Sequence, residues 1–318
     1  MTDLLRTAPV PRKRGAFKRL RHWLLDSWAL CMLVRALVWL LGILPRPLAH
    51  ALGRAGGKLA YLFDRGHREL CDANLFIAFP EKTVSERRAI LKGCYRHLGL
   101  CAVDFCRLAR MQKSNLLGQM IVPDPGALEI APAVHAEGRG VICIAAHIGF
   151  WELLGASSKV LGFDLVSVSR KIPSPRLEAL VRNIRERFGN QMIEQEGALR
   201  AIMRNLRENR GAGILVDLHA GRESPWIPFF GKEASTYDSA ARLHLRTGAP
   251  LVFGVTVRRP DGRYRLRIKR IDPGPLDGSE DLKVRRILTV INFELEAVIR
   301  EYPEQWVWMH KRWRKKPV

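Results

Sequence analysis

The chain is short of acid. Its 318 residues carry 31 Asp and Glu against 53 Lys and Arg, a formal charge of +22 with a pI near 10.5. That imbalance implies an anionic partner: nucleic acid, an anionic membrane surface, or an acidic protein or substrate. Cysteine is sparse as well. The six (Cys31, Cys71, Cys94, Cys101, Cys106, Cys143) show no C-x-x-C spacing, which excludes a disulfide scaffold and fits a reducing compartment. Neither H-E-x-x-H nor a clustered histidine motif occurs, so nothing in the pattern supports a metal. Internal repeats and low-complexity linkers are also lacking. A hydrophobic content of 47% excludes a disordered basic tail protein, and the length suits one large domain or two small ones.

What is present begins with a basic arm. Met1 to His22 holds Arg6, Arg12, Lys13, Arg14, Lys18, Arg19 and Arg21 against one acid, Asp3. Ser27 to Leu44 follows, 18 residues that are almost wholly apolar but interrupted by Arg35. That length just suffices to span a bilayer, yet Arg35 near its centre would cost roughly 2.5 kcal/mol or more, so an interfacial helix is an equal expectation. No small-residue cleavage site follows, so the run is not read as a signal peptide. Its basic flank would stay on the cytoplasmic side and attract anionic lipid. Residues 1–48 are therefore expected to be a basic arm and hydrophobic membrane-anchoring helix, with residues 49–318 forming a single further domain.

Pro45 and Pro47 break the run, and "ALGRAGGKLAYLF" resumes as a helix of small residues. Thr83 and Glu86 make a capping-box pattern that opens a long helix, in which Cys94, Cys101 and Cys106 read as small core residues. From Gly140 onward strands and helices alternate. Strands are expected at Val141 onward, Phe163 to Arg170, Ala212 to Asp217, Pro250 to Val257 and "RYRLRIKRID". Amphipathic helices are expected at "PRLEALVRNIRERFG" and "EGALRAIMRNLRENRG", with a final helix stopped by Pro303. This alternation predicts an α/β fold, a single mixed sheet flanked by helices behind the hydrophobic amino-terminal helix.

Within "VICIAAHIGFWELLG", His147 falls where the apolar strand stops, and Glu152 lies five residues on, at the opening of a helix. Strand ends that feed helices are where open α/β sheets place ligand chemistry. A neutral imidazole held by a carboxylate is a general base for deprotonating a hydroxyl. Alone the spacing is a weak signal, more often a histidine at a strand end and a solvated helix start.

Several segments recur together and raise it. "NLFIAFPEKTVSERR", "AAHIGFWE", "VSRKIPSPRLEALV", "WIPFFGKEASTYDSAARLHLRTGAPLVF" and "YPEQWVWMHKRW" run in order from Asn74 to Trp313. With them the sequence resembles the late acyltransferases of lipid A biosynthesis, the lauroyl and myristoyl transferases of Gram-negative bacteria, within the lysophospholipid acyltransferase superfamily. The resemblance implies an enzyme that moves an acyl chain from acyl carrier protein to a hydroxyl of a membrane glycolipid, at the cytoplasmic face of the bacterial inner membrane. It maps the catalytic pair onto His147 and Glu152, and substrate binding onto Arg170 and Asp217. Phe230 and Gly231 of "PFFG" would wall the acyl or acceptor pocket. An acyl thioester is already activated, so no cofactor or metal is expected, and a backbone N–H near Gly149 or an arginine would serve the oxyanion. Arg182, Arg185 and Arg187 are the expected docking surface for the acidic carrier.

The chain departs from the family in two places. Phe150 stands where an Asn is common, and Leu218 and His219 follow Asp217 where many members have Gln. Both bear on the acceptor, and another glycolipid or an aminolipid is an alternative. A metallohydrolase using His147, Glu152, Asp217 and His219 is a remote alternative. So is a nucleic-acid binder, since "RYRLRIKR" and "HKRWRKKP" interleave bases with aromatics; no nucleic-acid partner is expected, because no binding module appears. Trp306, Trp308 and Trp313 are expected at the membrane interface, with the neighbouring bases toward lipid phosphate.

Overall fold

The computed structural model describes residues 27–314. Four helices lead: α1 (Trp28–Ile43), α2 (Arg46–Phe63), α3 (Arg65–Ala78) and α4 (Val84–Leu108). The capping box at the start of α4 is formed, with the Thr83 hydroxyl accepting from the Glu86 N–H and the Glu86 carboxylate accepting from the Thr83 N–H. Alternation then runs β1 (Ile121–Pro123), α5 (Ile130–His135), β2 (Val141–Ala145), α6 (Trp151–Ser157), β3 (Leu165–Ser169), α7 (Pro175–Glu186), β4 (Gln191–Glu194), α8 (Ala198–Arg207) and β5 (Gly211–Leu215). A hairpin of β6 (Trp226–Phe229) and β7 (Lys232–Ser235) precedes α9 (Ser239–Thr247), β8 (Leu251–Arg258), β9 (Tyr264–Ile271) and α10 (Glu280–Glu301).

Seven strands form one mixed sheet in the order β1-β9-β8-β2-β5-β3-β4. β8, β2, β5, β3 and β4 run parallel, and β9 turns back antiparallel on β8. Side chains alternate across such a sheet, so β2 feeds two cores. Ile142 and Ile144 join Ile202 and Leu206 of α8 and the α9 and α10 residues on one face. Val141 joins Leu153 of α6 and Ile184 of α7 on the other. The expected α/β class is the one observed.

The small residues of α2 have a packing reason. A Cβ at Gly57 would lie 2.4 Å from the Tyr95 carbonyl oxygen, and one at Gly99 would lie 2.1 Å from that of Gly53. Helices α2 and α4 thus meet backbone to backbone, as they can only through glycine.

The apolar run after Ser27 forms α1, capped by the Ser27 side chain at the Leu30 N–H. It is 16 residues long, and among the described residues no helix is long and apolar enough to cross a membrane. Pro45 and Pro47 end α1 and open α2 directly after it. The basic arm expected from Met1 to His22 lies outside the described residues. α1 still turns Trp28, Leu33, Leu37 and Trp39 outward, while Leu41 packs with Ala49 and Val103.

Two further expectations are corrected. Trp306 and Trp308 are fully buried and sit edge to face, 4.6 Å between ring centroids, so they form core instead of a headgroup belt. Arg312, expected toward lipid phosphate, is also buried, with its guanidinium bonded to the Ser235 carbonyl and, at 3.0 Å, to the Thr236 hydroxyl. The basic face of β9 is neutralised by neighbours: Asp124 pairs with Arg265, Glu301 with Arg267 and Glu294 with Lys269, while Arg270 on the opposite face pairs with Glu137.

Candidate functional site

β2 ends at Ala145, and the chain turns over His147–Phe150 before α6. Gly149 makes the turn. Its φ is +60°, and a Cβ there would lie 1.9 Å from the Thr256 carbonyl oxygen. The turn is anchored on both sides. The Gly149 N–H donates to Gln305 O at 2.9 Å, the Phe150 N–H to Thr256 O at 2.8 Å, and the Thr256 hydroxyl returns a bond to Phe150 O. His97, buried in α4, bonds the Gly149 carbonyl at 2.9 Å. The backbone N–H groups of Gly149 and Phe150 are therefore spent on the scaffold, which removes Gly149's as an oxyanion donor.

His147 meets Asp217, just beyond β5, the neighbour of β2 in the sheet. The ring Nδ1 lies 2.9 Å from Asp217 Oδ1, while Oδ2 accepts from the His147 N–H and from the Trp306 indole, each at 2.9 Å. Asp217 is fully buried, and burial alone would raise its pKa. The charge and hydrogen bond of His147, the charge of His310 and the Trp306 bond outweigh this and hold it far below the usual carboxylate range. An ionised Asp217 makes Nδ1 the donor and leaves Nε2 as the free basic nitrogen. Burial pushes the His147 pKa down, but Asp217, with Glu152 adding its field, overcomes this and raises it above 6.5.

Glu152 sits in the first turn of α6, but the contact that would orient His147 goes elsewhere. Arg185 of α7 takes both its oxygens, Nε to Oε2 at 2.8 Å and Nη2 to Oε1 at 2.5 Å. A bidentate guanidinium is the stronger partner, so the histidine is oriented by Asp217 and the glutamate is held by Arg185. Burial would lower the Arg185 pKa; the Glu152 bond and charge raise it instead.

His147, Glu152, Arg170 and Arg185 all line a cavity of about 640 Å³ at the carboxyl edge of β2, β5 and β3. The cavity is mainly apolar and draws on both faces of the sheet. Gly155, Leu161, Phe163, Gly213 and Gly254 come from the α6 side; Ile144, Leu199, Ile202 and Leu243 come from the α8 and α9 side. Arg170 is exposed, beyond the end of β3. Asp217 lies beneath His147 and outside the lining. Phe230 and Gly231 are not brought to the cavity: they form the β6–β7 turn, where Phe230 packs on Phe79 and Trp313 under the Arg300 guanidinium.

Sequence reasoning passed over three contributors. Arg185 stood there as a docking charge, Trp306 as an interface residue, and Asn74 only as part of a motif. Asn74 donates to the Trp308 and His310 carbonyls at 2.8 Å and so clamps the segment that delivers Trp306. The expected docking arginines are engaged inside the chain. Arg182 bonds Glu186 and the Met192 carbonyl, Arg185 bonds Glu152, and Arg187 bonds the Met111 carbonyl. Of the departures from the family pattern, Phe150 is buried against Tyr264, Leu218 lines the cavity, and His219 lies against Trp226. Among the described residues no three His, Cys, Asp or Glu side chains converge as a metal site.

The family model described as bacterial lipid A biosynthesis acyltransferase matches residues 16–315. The chain is 27% identical over 320 residues to the lipid A biosynthesis lauroyltransferase of Escherichia coli (strain K12), covering 97% of each. It is 26% identical to the palmitoleoyltransferase of the same organism, over 94% of this chain and 93% of that one. It is 22% identical to the myristoyltransferase, over 95% and 90%.

Proposed function

Because the chain belongs to the bacterial lipid A biosynthesis acyltransferase family and is an acyltransferase, we propose that it moves a fatty acyl chain from acyl carrier protein to a hydroxyl of a lipid A precursor. The site of action is the cytoplasmic face of the bacterial inner membrane. The observation that carries the chemistry is the His147–Asp217 pair, with Nδ1 held and Nε2 free at the head of an apolar cavity.

Nε2 of His147 accepts the proton of the acceptor hydroxyl as its oxygen attacks the thioester carbonyl. A C–O bond forms, and negative charge moves to the carbonyl oxygen. The imidazolium is stabilised by Asp217. Arg185 has Nη1 left over from its two bonds to Glu152, and this is the donor suited to the oxyanion. Collapse breaks the C–S bond, and the departing thiolate takes the proton back from His147. Glu152 acts as a catalytic-site residue by aiming Arg185, and Arg170 at the cavity rim binds anionic substrate. The thioester supplies the activation, so the scheme uses no metal or cofactor.

The outward apolar face of α1 supports membrane attachment by lying in the interface, with the basic arm, Met1 to His22, toward anionic lipid. The reading is tested by incubating purified protein with acyl carrier thioester and a lipid A precursor and weighing the product by mass spectrometry. A single added acyl chain is expected, lost in His147→Ala. Transfer to a mannosylated phosphatidylinositol or an aminolipid in place of the lipid A precursor would replace the acceptor, and full turnover by His147→Ala would remove the base.

A further inference from the structure

Helix α8 reads ALRAIMRNLR, with three arginines and no acid. Arg200, Arg204 and Arg207 recur at helical spacing, so they share one stripe, and all three are exposed. Among the described residues none of them makes an ion pair or a side-chain hydrogen bond. The flanking acids are partly neutralised already, Glu194 by Lys171 and Glu208 by Arg210, which leaves Glu196 against the three.

The inner face of the same helix reaches the site. Ile202 lines the cavity and is buried, while Leu199 lines it and is more than half exposed, so α8 forms part of the cavity wall and carries the charge outside it. The helix also lies on the sheet face opposite α7, and it is α7's side of the sheet that α1 reaches: α1 rests chiefly on α4, Val38 joins the α7-side core, and Cys31 Sγ lies 3.9 Å from Ser174 Oγ at the α7 amino end. A charged stripe on the far side from the apolar helix suits an acidic protein in water better than a bilayer.

We infer that Arg200, Arg204 and Arg207 are the docking surface for the acidic carrier protein, whose acyl chain enters the cavity past Leu199. This rests on the donor reading above. Docking by surface charge works over about 8 Å at physiological ionic strength, which fits a stripe beside the cavity wall.

The test compares two donors with one acceptor in one detergent: the acyl chain on carrier protein, and the same chain on pantetheine. In the Arg200→Glu/Arg204→Glu/Arg207→Glu protein, the apparent KM for the carrier donor should rise about tenfold or more, with kcat and pantetheine turnover unchanged. Its dependence on salt should flatten. Should that protein fail to fold, the triple alanine variant is expected to show a smaller rise in the same direction. Equal loss with both donors, no change in KM, or lost binding to anionic vesicles at unchanged KM would each overturn the surface. A wild-type protein that uses acyl-pantetheine but never the carrier would remove the donor reading and the surface with it.

Discussion

Asp217 Oδ2 accepts from the backbone N–H of His147 and the indole of Trp306 at once, while its other oxygen holds the histidine ring. One buried carboxylate thus ties the strand end, the imidazole and the carboxy-terminal segment together. The ring cannot turn without breaking a charge-assisted bond, and the carboxylate cannot move without unseating a buried tryptophan.

Replacing Asp217 by Asn keeps the shape and removes the charge. The turnover should fall by about 10³ or more, because the imidazolium loses its stabilisation and the tautomer is no longer enforced. The pH profile carries the sign. In the proposed scheme His147 works as the neutral base, and its pKa is raised, so the wild-type rate should drop as pH falls through a midpoint above 6.5. That midpoint should move down in Asp217→Asn. Stability runs the other way for the histidine: its contribution is present below 6.5 and is lost as pH rises through the raised value. An unshifted rate profile in the variant would dissociate Asp217 from the base.

Arg185 and Glu152 act as a unit in this geometry. Arg185→Ala and Glu152→Ala should each lower kcat strongly, and the double variant should cost little more than the worse single one. Arg185→Lys should recover little, since one ammonium cannot make the fork to both oxygens and still reach the oxyanion. Kinetics on the four proteins decide it; additive losses would mean the two residues serve separate steps.

Gly149→Ala should destabilise the fold by about 3 kcal/mol or more, because the left-handed φ and the overlap with the Thr256 carbonyl act together. Denaturant melts report the loss. A neutral result would mean that the chain at β8 can retreat from the turn.

The outward face of α1 should carry membrane affinity. Leu33→Glu with Leu37→Glu removes two exposed leucines without touching Leu41 or Ala49, which are buried. Vesicle sedimentation should fall sharply while activity on a detergent-dispersed acceptor persists. Undiminished sedimentation would move the attachment to the basic arm or another surface. A deletion of residues 1–48 is the poorer tool, since it cuts into α2.

Local and short-range features were open to reading from the chain alone. The capping box at Thr83 needs only two side chains three residues apart, and it forms as the spacing says. Apolar runs such as Val141 to Ala145 and Leu251 to Val257 sit within the sheet with both faces covered, so their composition announces them. Family motifs likewise marked His147 and Asp217. The edge strands β1 and β4 are too short, at three and four residues, to show a period, and they are visible only in the structure.

Pairing was decided elsewhere. His147 and Asp217 lie 70 residues apart, Glu152 and Arg185 33, and Trp306 is 89 from Asp217. A histidine and a glutamate five residues apart share a strand end and a helix start, but that proximity does not make a bond when a guanidinium competes for the carboxylate. Parallel strand order β2-β5-β3 sets Asp217 beside His147, and helix packing sets Arg185 over Glu152. Which carboxylate holds the base follows from burial and from the geometry of the best available partner, and both exist only once the sheet has formed.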